Sequence, residues 1–315
     1  MLSGRPDLSG AGSQPAAASQ AASQVRSALL FTSELLRLLD LFDEHAIAAL
    51  PFKGPVLADT LYGDIAARDY CDLDILVPKQ DIAKAIAALL AAGYKTDLPS
   101  DAGQRKAYLR ARYEIHFTSS GGAIPIEIHQ SFLPPAYGFS PVPRFERRLF
   151  FGREIHSLAP ADLLLVLCAH GAKHGWSEPS LIRDVARLVE VSVDEIHWPQ
   201  LLRDAAGIGA QRMLLLGLYL AAQLDAPVPA EILSRARQDS AVARLAGRIR
   251  PGGPESPRFF LQTRERFSDK LACCARLALT PNEEDYTFLP LPAILSPLYY
   301  PLHAVRVAGK YGLGR

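Results

Sequence analysis

The chain has 315 residues, of which 49% are hydrophobic and 21% are charged, and its formal net charge is +1. This length and composition predict a globular protein with enough apolar material for two domains. A charge balance so close to neutral argues against a dedicated nucleic-acid binder, because such proteins usually carry a strong basic excess.

The four cysteines include no Cys-x-x-Cys pair, and such low cysteine use is typical of a reducing compartment. No run reaches the roughly 18 apolar residues that span a bilayer, and the first residues lack the basic start and apolar core of a signal peptide. We therefore predict a cytoplasmic location and no membrane span.

The N-terminal residues 1–25 are rich in Ser, Ala, Gly and Gln and show no apolar periodicity, which predicts a disordered tail. Leucines then recur at helical spacing and predict an amphipathic helix over about 26–45. The apolar run Ile47–Leu50 after this helix predicts a short strand.

A glycine turn follows that strand. Gly54 permits a close backbone approach, and Pro55 suits the first turn of a helix that ends near Gly63. The free N–H groups and the dipole at such a helix start attract anions, and Lys53 would add a positive charge. The turn therefore predicts a phosphate-binding site, with an ordinary strand-to-helix connection as the alternative.

Two aspartates stand two residues apart on the next predicted strand. Leu73, Ile75 and Val77 alternate along it, which places Asp72 and Asp74 side by side on the opposite face. Two carboxylates so close repel each other, and a divalent cation with a preference for hard oxygen ligands would relieve the repulsion. The alternative is a pair of exposed acids that protects an edge strand.

A β-hairpin is predicted around Ser119-Ser120-Gly121-Gly122, between extended runs at 113–117 and 123–129. In the second run Glu127 and His129 share one face, opposite a stripe of isoleucines. Glu114 alternates with apolar residues in the first run and competes with Glu127 as a third acidic site residue.

The remaining chain divides into two kinds of pattern. Residues 133–157 are rich in Pro and Arg, with little periodicity, and predict a segment that crosses between domains. From Pro160 onward the pattern is helical almost to the end. We therefore predict an α+β protein with a small mixed sheet over 26–150 and an all-helical domain over 151–315.

His170 and His174 are four residues apart and share one face of a predicted helix. Three interpretations remain open. The first is a part in a zinc site, although the His-Glu-x-x-His form is absent. The second is hydrogen bonding between domains, including to Asp184, and the third is the lining of a ligand pocket with Lys173 and Trp176.

Several motifs occur in a specific order and spacing. They are Phe52-Lys53-Gly54-Pro55, Leu61-Tyr62-Gly63-Asp64, Arg68, the strand Asp72–Val77, Glu127-Ile128-His129, and Ala169–Trp176 followed by Asp184. Over a range from about Leu30 to the C-terminus, the chain resembles the uncharacterised nucleotidyltransferase family of the DNA polymerase beta-like nucleotidyltransferase superfamily.

This resemblance implies a reaction and its cofactors. Asp72 and Asp74 would be the paired carboxylates and Glu127 the third, and together they would hold Mg²⁺ or Mn²⁺. A nucleoside triphosphate (NTP) would be the donor, and its nucleoside monophosphate (NMP) would pass to an unidentified acceptor. In this superfamily the third carboxylate acts as general base on the acceptor hydroxyl or orients the metal.

The nucleotide-binding residues expected beside these carboxylates are Lys53, Gly54, Arg68, His170, Lys173 and His174. Most members of the superfamily have Gly-Ser or Gly-Gly at the turn before the helix, whereas this chain has Lys53-Gly54, as its own family does. For Arg68 two roles stay open: a contact to phosphate or base, and a salt bridge with Asp64 or Asp69.

Two alternative functions belong to other classes. One is a nucleotide-binding or regulatory module that transfers nothing, which the absent Gly-Ser favours. The other is a metal hydrolase that uses His170, His174 and Asp184. For the acceptor, the near-neutral charge favours a small molecule, a peptide or a protein over nucleic acid.

Overall fold

The computed structural model describes residues 13–99, 104–105, 108–109, 112–253, 256–281, 283–289, 291 and 293–312. The fold is α+β, with a mixed five-stranded sheet and a two-stranded hairpin followed by helices, as the sequence predicts. The strands are β1 (Leu50–Pro51), β2 (Leu73–Leu76), β3 (Lys95–Thr96), β4 (Glu114–Thr118), β5 (Pro125–His129), β6 (Phe145–Phe150) and β7 (Arg153–Leu158).

The helices surround the sheet and then continue to the end of the described chain. They are α1 (Ser13–Glu44), α2 (Gly54–Tyr62), α3 (Ile82–Ala91), α4 (Pro160–Lys173), α5 (Pro179–Ser192), α6 (Trp198–Gly207), α7 (Gln211–Ala222), α8 (Ala230–Gln238), α9 (Ser240–Ala246), α10 (Pro257–Thr263), α11 (Phe267–Leu279), α12 (Glu283–Phe288) and α13 (Tyr299–Gly312). Short 3₁₀ turns occupy Pro135–Tyr137 and Ala293–Leu298.

Helix α1 begins earlier than the sequence predicts. It starts at Ser13 rather than near residue 26, and residues 1–12 lie outside the described part of the chain. Alanine, glutamine and serine are compatible with a helix, but residues 19–23 are exposed. The first turns of α1 therefore have no apolar repeat from which the sequence could predict a helix.

The five-stranded sheet has the order β1-β2-β5-β4-β3. Strands β2 and β5 run parallel, while the other neighbouring pairs are antiparallel. The apolar alternation in β2 is confirmed, because Leu73, Ile75 and Val77 are buried with the inward face of α1 and with α3. This burial leaves the opposite face of β2 and β5 for polar side chains.

The segment 133–157, which the sequence predicts to cross between domains, contains a regular hairpin of β6 and β7 that its lack of periodicity did not indicate. Phe151 and Gly152 make its turn with φ values of 47° and 79°. Turns with two positive φ values usually contain Asn or Asp before Gly, so a Phe at this position conceals the turn. The predicted domain boundary at residue 150 falls at this turn.

The helical part shares its hydrophobic core with the start of the sheet domain. Leu50, Phe52, Leu57 and Leu61 lie in the same buried cluster as the apolar side chains of α4. This shared core brings the C-terminal end of α4 towards the polar face of the sheet. No helix among the residues that the structure describes is long and apolar enough to cross a membrane.

Two glycines allow the Trp176 side chain to pack at the end of α4. The indole is 1% exposed, and a Cβ added at Gly171 would lie 2.6 Å from its ring. A Cβ added at Gly217 of α7 would lie 3.0 Å from the same ring. Trp176 is therefore a core residue that fixes the end of α4, and it does not stack on a ligand.

We expect Gly171→Ala to reduce the free energy of unfolding by about 1–3 kcal/mol, because the added methyl group overpacks against a buried indole. Urea unfolding monitored by Trp fluorescence measures the change. Gly207→Ala is the control, since a Cβ there meets nothing within 4 Å. Equal stabilities of the two variants would contradict this packing argument.

Candidate active site

Strand register places two acids side by side on the polar face of the sheet. Asp74 of β2 is paired with Glu127 of the parallel strand β5. Asp74 is buried and Glu127 is half-buried, while Asp72 lies half-buried just before β2. The structure therefore brings together the three carboxylates that the sequence singled out.

The glycine turn packs directly against this strand. Gly54 has a φ of +57°, and a Cβ there would lie 3.3 Å from the Asp72 carbonyl oxygen. This close approach lets Lys53 reach the acids, and its Nζ donates a hydrogen bond to Asp74 Oδ1 at 2.9 Å. Lys53 thus faces the carboxylates, whereas Gly54 is buried as a packing residue.

His129 is a site residue that the sequence prediction did not include. Its Nε2 lies 3.0 Å from Asp74 Oδ1 and 3.3 Å from Glu127 Oε2. Among the described residues, these three side chains form the one group of potential metal ligands whose atoms all lie within 4.8 Å. The sequence could have identified His129 as a site residue, because the alternation in this strand places it on the same face as Glu127.

The buried charges shift one another's pKa values. Burial opposes the ionisation of Asp74, but Lys53 and His129 outweigh it and hold the pKa of this carboxyl well below its usual range. Burial also opposes protonation of His129, but its hydrogen bonds to Asp74 and Glu127 raise the pKa of the imidazole. The result is an ionised aspartate whose Oδ1 atom contacts both the Lys53 ammonium and the His129 imidazole.

The environment of Asp72 shifts its carboxyl pKa in the opposite direction to that of Asp74. Burial, followed by repulsion from Asp74 and Glu127, raises the pKa of this carboxyl to about 6. A positive charge placed near Asp72 would therefore favour its ionised form.

Glu114 lies one strand further from the aspartates. The register pairs Glu114 of β4 with His129 rather than with an acid. Burial opposes its ionisation, but hydrogen bonds to His116 and Tyr113 outweigh this and lower the pKa of Glu114 to about 2. Strand order therefore favours Glu127 as the acid nearest to Asp74.

Arg68 forms a salt bridge, but with neither of the partners that the sequence suggested. Its Nε donates to Asp184 Oδ2 of α5 at 2.9 Å, and both side chains are largely buried. Asp64 instead accepts from the backbone N–H of Ala66. The Arg68–Asp184 pair therefore joins the polar face of the sheet domain to the helical part.

His170, Lys173 and His174 lie at the C-terminal end of α4 and line the same cavity as the carboxylates. The two imidazole rings are 4.3 Å apart, and Lys173 Nζ lies 2.6 Å from the Tyr113 hydroxyl. Burial, together with Lys53 and His174, lowers the pKa of His170 well below its usual value. Because Asp184 binds Arg68, the structure does not bring it to the two histidines as a zinc ligand.

These side chains surround a cavity of about 440 Å³, which we call the acidic cavity. It contains every sequence-predicted site residue except Gly54. It is lined by Lys53, Arg68, Asp69, Tyr70, Cys71, Asp72, Asp74, Tyr113, Glu114, Glu127, His129, Phe132, His170, Lys173, His174, Glu178, Ser180 and Leu181.

We expect Arg68→Met to reduce the free energy of unfolding by about 3–5 kcal/mol, because it leaves the Asp184 carboxylate buried without its partner. The double variant Arg68→Met with Asp184→Leu should recover most of this loss. Urea unfolding at neutral pH measures both. A single variant as stable as the unaltered protein would contradict the structural role of the pair.

Comparisons with known proteins give a structural neighbour and a family. The solution structure of the antibiotic-resistance factor ANT(2'')-Ia is similar to 66% of this chain and to 96% of its own, with 11% sequence identity and a TM-score of 0.37. No curated protein matches the sequence. A family described as uncharacterised nucleotidyltransferase matches residues 14–225, which include the three carboxylates and α4. The predicted resemblance is thereby confirmed, and the chain belongs to the uncharacterised nucleotidyltransferase family.

Proposed function

We propose that this protein transfers an NMP from an NTP to an acceptor hydroxyl and releases pyrophosphate, with Mg²⁺ or Mn²⁺ as cofactor. The observation that carries the proposal is the convergence of Asp72, Asp74 and Glu127 in the acidic cavity beside Lys53. Family membership supports a transferase, and the cavity supports a triphosphate donor because cations and carboxylates line it together.

The donor set fits a divalent cation. Three carboxylates face one cavity, and burial and mutual repulsion raise the pKa of Asp72. Asp72, Asp74 and Glu127 would hold the ion through the hard oxygen ligands that Mg²⁺ prefers. When bound, such an ion polarises phosphoryl oxygens and lowers the pKa of a coordinated hydroxyl.

The protein's own side chains supply orientation and charge. Lys53 and His129 both contact Asp74 Oδ1 and hold this carboxylate in place, and His129 also orients Glu127. The Lys53 ammonium faces the cavity, where it would offset the negative charge of a triphosphate. We assign Glu127 the role of accepting the proton of the acceptor hydroxyl, because it is exposed enough to meet a substrate.

The opposite wall supplies further contacts to the nucleotide. We assign this role to His170, Lys173 and His174, which line the same cavity from α4. His170 is neutral at physiological pH because its pKa is low, so it can donate or accept a hydrogen bond without adding charge. The Arg68–Asp184 pair holds this wall against the sheet.

Incubation with Mg²⁺, each α-labelled NTP and a panel of small alcohols, peptides and proteins tests the proposal, with intact mass measured for every acceptor. Labelled product and pyrophosphate in equal amounts would support it. NTP binding without product for any donor or acceptor would favour the alternative of a nucleotide-binding module.

We expect Glu127→Gln to lower kcat by about 10²–10⁴-fold, because the amide cannot accept the proton or bind the cation as a carboxylate does. Glu114→Gln is the matched control from the neighbouring strand, and its kcat should stay within about tenfold of the unaltered protein. Steady-state release of pyrophosphate measures both. A larger loss of kcat in Glu114→Gln than in Glu127→Gln would show that Glu114 is the third carboxylate.

We expect Asp72→Asn to stabilise the metal-free protein at about pH 8 by about 1–3 kcal/mol, because it removes a carboxylate whose pKa rises from 3.8 to about 6 on folding. A carboxyl group whose pKa is higher in the folded protein lowers the free energy of unfolding at any pH above its folded pKa. At a pH below its unfolded pKa the group is protonated in both states and has no effect. The gain should therefore disappear as the pH falls from 6 to about 4.

Thermal unfolding in EDTA at the two pH limits measures this gain. Asp194→Asn is the control, because Asp194 is an exposed acid outside the acidic cavity. Added Mg²⁺ should raise the melting temperature of the unaltered protein more than that of Asp72→Asn. Equal responses to Mg²⁺ would remove Asp72 from the metal site.

A further inference from the structure

A second cavity of about 450 Å³ lies beside the acidic cavity, and arginines dominate it. We call it the basic cavity. Three arginines line it, Arg248, Arg250 and Arg258, together with Ser177, Gln262 and the ring of Phe259. Among the described residues no acidic side chain lines it.

The three arginines differ from most others in this protein. Arg212, Arg235 and others are held in ion pairs with carboxylates. Arg248 donates instead to the neutral amide of Gln262, and Arg250 donates to backbone carbonyls of its own segment. None of the three guanidinium groups forms an ion pair within the part of the chain that the structure describes, so their charges remain available to an anion.

One turn of the chain forms the wall between the two cavities. His174, Glu178 and Ser180 line the acidic cavity, whereas Gly175 and Ser177 of the same turn line the basic cavity. Three residues span at most about 11 Å, so the two cavities lie close together on either side of this turn. The backbone N–H of Gly252 donates to the Ser177 carbonyl at 2.8 Å and fixes this arrangement.

We propose that the basic cavity binds a phosphate-bearing group of the acceptor, so that the acceptor is a phosphorylated small molecule. Guanidinium groups match phosphate oxygens with charge-assisted, bidentate hydrogen bonds, and Ser177 and Gln262 add neutral partners. The same charge would repel a cationic acceptor. This inference rests on the proposed function, which supplies the transfer reaction in the neighbouring cavity.

Calorimetry in EDTA tests the binding step separately from catalysis. The probes are glycerol 3-phosphate and ribose 5-phosphate, each of which keeps a free hydroxyl, and each is compared with its unphosphorylated form and with inorganic phosphate. A phosphate ester should bind more tightly than both. Equal affinity for inorganic phosphate would indicate a site for free phosphate, and no preference for any ester would overturn the proposal.

The double variant Arg248→Gln with Arg258→Gln should weaken ester binding by about tenfold or more, because it removes two charge-assisted donors. Both arginines are exposed, so the variant should unfold at the same urea concentration as the unaltered protein. Arg237→Gln is the matched control, an exposed arginine on α8 outside the basic cavity. Unchanged affinity in the double variant would overturn the assignment.

Transfer assays with Mg²⁺ and NTP then test the acceptor role. For an ester that binds, the double variant should raise KM by about tenfold and leave kcat within about twofold. Asp74→Asn should abolish transfer and retain ester binding. An unaltered KM, or transfer only to acceptors without phosphate, would overturn the acceptor role. If the protein binds the esters but transfers NMP to no acceptor, the proposed function is refuted, and so is the acceptor role. The phosphate-binding site in the basic cavity would still be supported by the calorimetry.

Discussion

The buried Asp74 carboxylate is the constraint on which the rest of the site depends. A carboxylate removed from water costs several kcal/mol unless charges and hydrogen bonds compensate it. Lys53 and His129 provide that compensation, and both contact the Oδ1 atom of Asp74. Lys53 reaches Asp74 only because Gly54 lets α2 start against the strand, and His129 reaches it only because β5 pairs in parallel with β2. The turn at Gly54, the pairing of β2 with β5 and the buried charge of Asp74 therefore depend on one another.

The helical part completes this arrangement from the other side. Helix α4 brings His170 and Lys173 to the cavity, and Trp176 fixes the end of that helix because Gly171 leaves room for its indole. The Arg68–Asp184 salt bridge ties α5 to the segment that precedes β2. Neither wall of the acidic cavity is thus an independent loop, and both are extensions of a hydrophobic core. A cavity built in this way is preorganised for its ligand.

Local patterns predicted the parts of this site that depend on local physics. Alternation in β2 assigned Asp72 and Asp74 to one face, because a strand has a period of two residues. Alternation in β5 assigned Glu127 and His129 to one face in the same way. That β2 and β5 pair in parallel is a tertiary fact, and the sequence pattern does not contain it. The same limit explains Arg68, whose partner Asp184 lies 116 residues away along the chain.

The charge distribution shows why a net value near zero predicts little about partners. The segment 244–276 contains eight Lys and Arg residues against three Asp and Glu residues, although the whole chain carries only +1. Charge is therefore unevenly distributed: carboxylates and cationic side chains line one cavity together, whereas the described lining of its neighbour contains arginines and no acid. The family match ends at residue 225, before Arg248, Arg250 and Arg258. The proposed chemistry thus resides in the part of the chain that the family shares, and the proposed choice of acceptor resides in the part beyond it.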